Sequence, residues 1–120
     1  MNYNVKGTGV EITPEIRAYL EKQLSHVEKF LASDPTAIVA VELEHTPMRH
    51  GERNRAEFTV SAAGEVYRVE AWGETLHAAI DLAEPLLARE LRRSKNKRLH
   101  VLRRSAARVK EYLRGWRDRP

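Results

Sequence analysis

The sequence predicts an α+β domain of order β-α-β-β-β-α: a four-stranded mixed sheet with two helices packed on one face, plus a basic C-terminal helical tail. Three observations carry this. Two stretches space their apolar residues at steps of three and four, which is the helical repeat. Four shorter stretches alternate apolar and polar residues, the signature of a strand with one face buried. Each helix has a single apolar stripe, so both must cover the same face of the sheet.

The first strand is NYNVKG (2–7), with Tyr3 and Val5 on one face. Thr13, Pro14 and Glu15 then open a helix. The threonine hydroxyl can cap it, and proline suits the first helical position, where no N–H is needed. Ile16, Tyr19, Leu20, Leu24, Val27, Phe30 and Leu31 form its stripe over about five turns, and Ser33-Asp34-Pro35 ends it. Three strands follow, IVAVELEH, RAEFTVSA and VYRVEAW. Their inward residues are Val39, Val41 and Leu43, then Ala56, Phe58, Val60 and Ala62, then Tyr67, Val69 and Ala71. The segment 45–54 reads as a polar, partly basic loop, and Ala63-Gly64-Glu65 as a tight hairpin. A helix between the first two strands requires a parallel pair there, with a right-handed crossover; hairpins make the other pairs antiparallel.

Thr75 is the expected cap of the second helix, whose stripe is Leu76, Ala79, Ile80, Ala83, Leu87 and Leu91. Pro85 lies inside it. An interior proline removes one backbone bond and crowds the preceding turn, which predicts a kink, or else two shorter helices. The stripe lapses after Leu91 and resumes at Leu99, Leu102, Ala106, Val109, Leu113 and Trp116. Either the second helix runs on, or a third, basic amphipathic helix follows. The expected division is a domain over 1–98 and a tail over 99–120.

Charge is unevenly spread. Residues 1–84 hold 8 Lys and Arg against 14 Asp and Glu, a net of −6, whereas residues 85–120 hold 13 against 3, a net of +10. A mildly acidic body with a basic C-terminal third suggests a surface that meets polyanions. Arg89, Arg92, Arg93, Lys95, Lys97 and Arg98 fall within about 15 Å of helix. Arginine predominates, and its planar fork grips a phosphate with two bonds. Acidic residues nearly vanish after Glu90, whereas an ordinary solvated helix mixes signs. The sheet's polar face reads as acidic, and Trp72 is its one aromatic, expected to pack at the rim. Shape-based recognition of folded RNA through helices, basic loop and tail fits best.

Much chemistry is excluded. The chain has no cysteine, so it holds no disulfide, thiolate zinc site or cysteine nucleophile. It has no glycine-rich phosphate cradle and no GxSxG elbow. His45 and His50 share a loop but lack a third strong metal ligand. No cofactor, metal, small-molecule substrate or enzymatic activity is expected. No apolar run approaches the ~18 residues that span a bilayer, and no secretory signal opens the chain, so a cytoplasmic protein without a membrane partner is expected.

Two stretches resemble one family. VEITPEIRAYLEKQLSHVEKF (10–30) is similar to the opening and ending of its first helix. LHAAIDLAEPLLARELRRSKNK (76–97) is similar to its second, with Ala78-Ala79-Ile80-Asp81, Arg89, Leu91, Arg93, Lys95 and Lys97 in register. The family is the ribosome hibernation-promoting factors, also called ribosome-associated inhibitors or ribosomal-subunit interface proteins, and the resemblance spans about residues 2–98. It implies a bacterial cytoplasmic translation inhibitor that binds small-subunit rRNA over the decoding region and blocks messenger and transfer RNA. The family's rRNA-contacting cations carry over to Arg89, Arg93, Lys95 and Lys97, with Arg92 and Arg98 as local additions and Lys6 as a further basic position. His77 replaces a family tyrosine, Leu86 replaces a basic residue, and Pro85 is unexpected. The resemblance is to the short forms, which lack a linker and dimerising domain. Some of these favour ribosome pairing and others oppose it, and the basic tail fits either; the oligomeric state stays open. The alternative reading is a non-ribosomal protein-interaction or structured-RNA-binding module that uses the C-terminal amphipathic helix.

Overall fold

A computed structural model describes residues 2–104, with side chains as far as Ser94. Its elements run β1 (Asn2–Thr8), α1 (Pro14–Glu28), β2 (Ile38–His45), β3 (Asn54–Ala62), β4 (Glu65–Gly73) and α2 (Leu76–Arg104). The sheet order is β1-β2-β3-β4, with β1 parallel to β2 and the other pairs antiparallel. The predicted fold class and connectivity are the observed ones.

Alternation decides which face is buried. Val39, Val41 and Leu43 of β2 and Ala56, Phe58 and Val60 of β3 point into the core. Leu20, Leu24 and Val27 of α1 and Ile80, Ala83, Leu87 and Leu91 of α2 meet them. Burying a side chain of this kind stabilises the fold by about 1.5–3 kcal/mol, so this one apolar layer dominates the energetics. The edge strands contribute half-buried Tyr3, Val5, Tyr67, Val69 and Ala71.

Both helices start on the predicted threonines. The Thr13 hydroxyl accepts from the Ile16 N–H at 3.2 Å and the Thr75 hydroxyl from the Ala78 N–H at 3.0 Å. α1 ends earlier than its apolar stripe. The N–H groups of Phe30 and Leu31 bond to the carbonyls three residues back, Val27 and Glu28, so the chain tightens into turns at Lys29. Leu31 still reaches the core from that turn.

At the hairpin, Ala62 pairs with Glu65, and both connecting residues are left-handed, Ala63 at φ 52° and Gly64 at φ 77°. This is the type I′ geometry that matches strand twist. Asp34 braces it by accepting from the Ala63 N–H at 2.7 Å. Gly73 joins β4 to α2 so closely that a Cβ there would lie 2.7 Å from the Ala79 nitrogen.

α2 is one helix through Pro85; two shorter helices do not form. The missing N–H deprives the Asp81 carbonyl of its partner. Pro85 and Asp81 both lie on the exposed side, where water can supply the lost bond. The helix crosses the expected boundary at 98 and reaches Arg104, so of the two readings of the tail it is α2 that runs on, at least that far. The tail residues Ala106, Val109, Leu113 and Trp116, with Arg108, Lys110 and Arg114, lie outside the described residues.

Candidate nucleic-acid interface

The arginine band follows from the helical repeat. Leu87 and Leu91 are buried against the sheet. At 100° per residue, Arg89, Arg92 and Arg93 stand 200°, 140° and 240° round the axis from Leu87, as simple multiples of the turn give. They therefore share an arc of about 100° on the opposite side, and all three are exposed. Tyr67 of β4 bonds through its hydroxyl to Ser94, which fixes α2 beside the band.

Counter-charges are scarce there. Among the described residues Arg89 and Arg92 have no carboxylate partner, and Arg93 meets Glu90 at 3.5 Å in an exposed pair that contributes little. Arg92 lies 5.8 Å from the centre of the Phe30 ring, and the Lys29 ammonium lies 5.2 Å from the same ring. The end of α1 thus adds Lys29 to the band. Its place beside the band is not legible in the sequence, because only helix packing brings Arg92 to the Phe30 ring next to Lys29. Lys95, Lys97 and Arg98 continue the same helix, with side chains beyond the described ones.

Lys6 is elsewhere. Tyr3 and Val5 face the core, so Lys6 points to the helix-free face of the sheet, where it pairs across strands with Glu42. The fold does not bring it to the α2 arginines.

That open face is better balanced than the sequence suggested. Register aligns Lys6, Glu42, Glu57 and Glu70 in one row and Thr8, Glu44, Arg55 and Trp72 in the next. Three adjacent carboxylates would repel one another. Arg55, 9% exposed, resolves this by bonding to all the carboxylates around it. Its guanidinium meets Glu44 at 3.0 Å, Glu57 at 2.5 Å and Glu70 at 3.3 Å, and also bonds to Glu42. Burial alone would lower the Arg55 pKa, but bonds to Glu44, Glu42 and Glu57 more than reverse this and raise it. The Thr8 hydroxyl at 2.7 Å and then Arg55 hold the Glu42 carboxyl below the usual range. For Glu57, burial pushes upward, but hydrogen bonds from Arg68 and Arg55 win and hold it low. The sequence signal was the alternating glutamates flanking one arginine; only strand register joins them.

Between the helices, the Tyr19 hydroxyl donates to Asp81, which raises the Tyr19 pKa. The His77 ring packs on Tyr19 with centroids 4.5 Å apart. His26 lies 3.7 Å from Glu84. Among the described residues no group of three metal-ligating side chains converges, and no helix is long and apolar enough to cross a membrane.

Fold and helix together define a class: an α+β module with a band of arginines facing solvent. Residues 3–99 match the family described as Sigma 54 modulation protein / S30EA ribosomal protein, and the chain belongs to that family. It is 30% identical over 97 residues to the ribosome hibernation promotion factor of Bacillus subtilis, covering 81% of this chain and 50% of that protein. It is 29% identical over 108 residues to the ribosome hibernation promoting factor of Pseudomonas putida, covering 90% of this chain and all of that one. The crystal structure of the Thermus thermophilus Protein Y N-terminal domain superposes with a TM-score of 0.66 at 33% identity, covering 78% of this chain and 98% of that one. The chain spans about half the length of the first curated relatives it matches.

Proposed function

We propose that this protein is a cytoplasmic, ribosome-associated translation inhibitor of the hibernation type. It binds small-subunit rRNA over the decoding region and occludes messenger and transfer RNA. The observation that carries the proposal is the face of α2 on which Arg89, Arg92 and Arg93 stand exposed with almost no counter-charge. Relatives named as ribosome hibernation factors support the choice of polyanion.

The mechanism needs only placement. A rigid helix about 43 Å long, from 29 residues, presents fixed guanidinium groups to phosphates. Each neutralised phosphate releases condensed counterions, so binding is tight at low salt and weakens steeply as salt rises. Inhibition is steric, because the module and the messenger cannot occupy one channel. No bond is made or broken. Lys95, Lys97 and Arg98 extend the contact along the same helix, with Lys29 beside it. Lys6 belongs to a separate face and meets rRNA, if at all, apart from the α2 band.

The test is sedimentation with purified bacterial small subunits, with and without a messenger fragment and initiator tRNA. Co-sedimentation that mRNA and tRNA compete away supports the proposal. Co-sedimentation without competition would refute the decoding-region placement, and no co-sedimentation would refute ribosome binding.

A further inference from the structure

A second cationic feature lies far from the α2 band. The β2–β3 connection, residues 46–53, folds back over the end of the sheet. It is closed by the Thr46 N–H bonding to the Arg53 carbonyl at 2.8 Å and the Arg49 N–H bonding to the Thr46 carbonyl at 3.2 Å. Arg53 Nε donates to the Arg49 carbonyl at 3.0 Å, tying the two arginines together. The Arg49 guanidinium lies over the Trp72 ring, 3.5 Å from its centre. A guanidinium stacked on an indole keeps its N–H edge free for in-plane bonds, while the stack restricts the side chain's conformations.

The carboxylates of the same sheet face are already engaged. Arg55 binds Glu42, Glu44, Glu57 and Glu70, and Arg68 binds Glu57 at 2.8 Å. Among the described residues neither Arg49 nor Arg53 has an ion-pair partner. Arg55 also lies 6.0 Å from the Trp72 ring, so the ring rests on a braced residue and supports a free one. Two exposed, linked guanidinium groups that pair with no carboxylate among the described residues, although Glu52 shares their loop, are suited to an anion with several oxygens.

We infer that Arg49 and Arg53, with Trp72 as the ring that sets Arg49, form a second contact for RNA phosphates. This rests on the proposed ribosomal function and adds to it a point of grip at the opposite end of the sheet. α2 begins three residues after Gly73, and 13 residues separate Leu76 from Arg89, about 20 Å of helix. The two contacts are too far apart to share a phosphate, so their contributions to binding should add. The ligand is the phosphate backbone rather than a base, because Arg49 already covers a face of the indole.

The test is the binding affinity of the full chain for purified bacterial small subunits, measured across a series of potassium chloride concentrations. For Arg49→Gln with Arg53→Gln, affinity at 0.1 M salt should fall about tenfold, and the slope of log affinity against log salt should shrink by about 1–2. Trp72→Leu keeps the loop's charge, and should weaken binding about threefold with the slope nearly unchanged. Combined with charge reversal on α2, the loop changes should multiply the loss. If wild type binds and the double variant binds equally tightly with the same slope, the loop merely packs on the sheet, and the inference falls while the ribosomal function stands. If wild type does not bind the subunits, both fall. A melting temperature for each variant separates lost contact from lost fold.

Discussion

Arg55 and the α2 arginines are the same residue type in opposite circumstances. Arg55 is sunk into the sheet's open face and ringed by four carboxylates. Arg89, Arg92 and Arg93 stand in solvent with one exposed glutamate among them. A caged cation holds strands together and has nothing left to offer a ligand. A bare one contributes little to folding and is free to meet a phosphate. Counting positive residues does not separate these roles; asking where the counter-charge sits does.

The comparison can be broken most sharply by reversing the bare cations. Arg89→Glu, Arg92→Glu and Arg93→Glu together should weaken binding to small subunits by roughly 100–1,000-fold at about 0.1 M salt, with the melting temperature nearly unchanged. Emptying the cage should do the opposite. Arg55→Met leaves four carboxylates facing one another and should destabilise the fold by about 2 kcal/mol, the partial exposure of the partners keeping the effect below that of a fully buried pair. Chemical denaturation reads this directly, and subunit affinity measured well below the melting point should hold.

Acid tests the same cage. Glu42 and Glu57 titrate lower in the folded protein than in the unfolded chain, where a glutamate titrates near about 4.3. Their stabilisation is therefore present above that value and is lost as pH falls through their lower folded values. The melting temperature should be nearly level from about pH 7 to 5 and fall steeply below about pH 4. In Arg55→Met that acid step should flatten. A smaller effect bears on how the band is held. Tyr67→Phe removes the hydroxyl's bonds to Ser94 and to the exposed Glu65, and should cost about 1 kcal/mol in stability. The smallest is a gain: Ala63→Asn places a residue suited to the left-handed turn and should raise the melting temperature by about 2–4 °C.

Most of the fold was legible because local rules agree with the global packing. Alternation assigned every core residue of β2 and β3 to its face, and two threonines marked the helix starts. The end of α1 was not legible, since Phe30 and Leu31 keep the apolar spacing while the backbone tightens into turns. Pro85 left open a kink or two shorter helices, and α2 runs through it as one helix, with the unpartnered Asp81 carbonyl on the exposed side. For the site, Arg89, Arg92 and Arg93 could be read as one face from their spacing alone. The settings of Arg55 and Arg49 could not, because their partners Glu42 and Trp72 lie 13 and 23 positions away in the chain and meet them only through register and a folded loop; nor could the approach of Arg92 to the Phe30 ring beside Lys29, 62 positions away, which needs the packing of the two helices. Lys6 entered only as a further basic position that the family resemblance implies, and strand alternation places it on the helix-free face, apart from the α2 arginines.

One measurement bears most directly on whether the bare α2 arginines meet rRNA phosphates: the salt dependence of subunit binding for wild type and for the triple charge reversal. Wild type should show a steep linear fall of log affinity with log salt, and the variant a slope smaller by about 2–3, roughly one per lost contact. Equal slopes would mean that these arginines touch no phosphate.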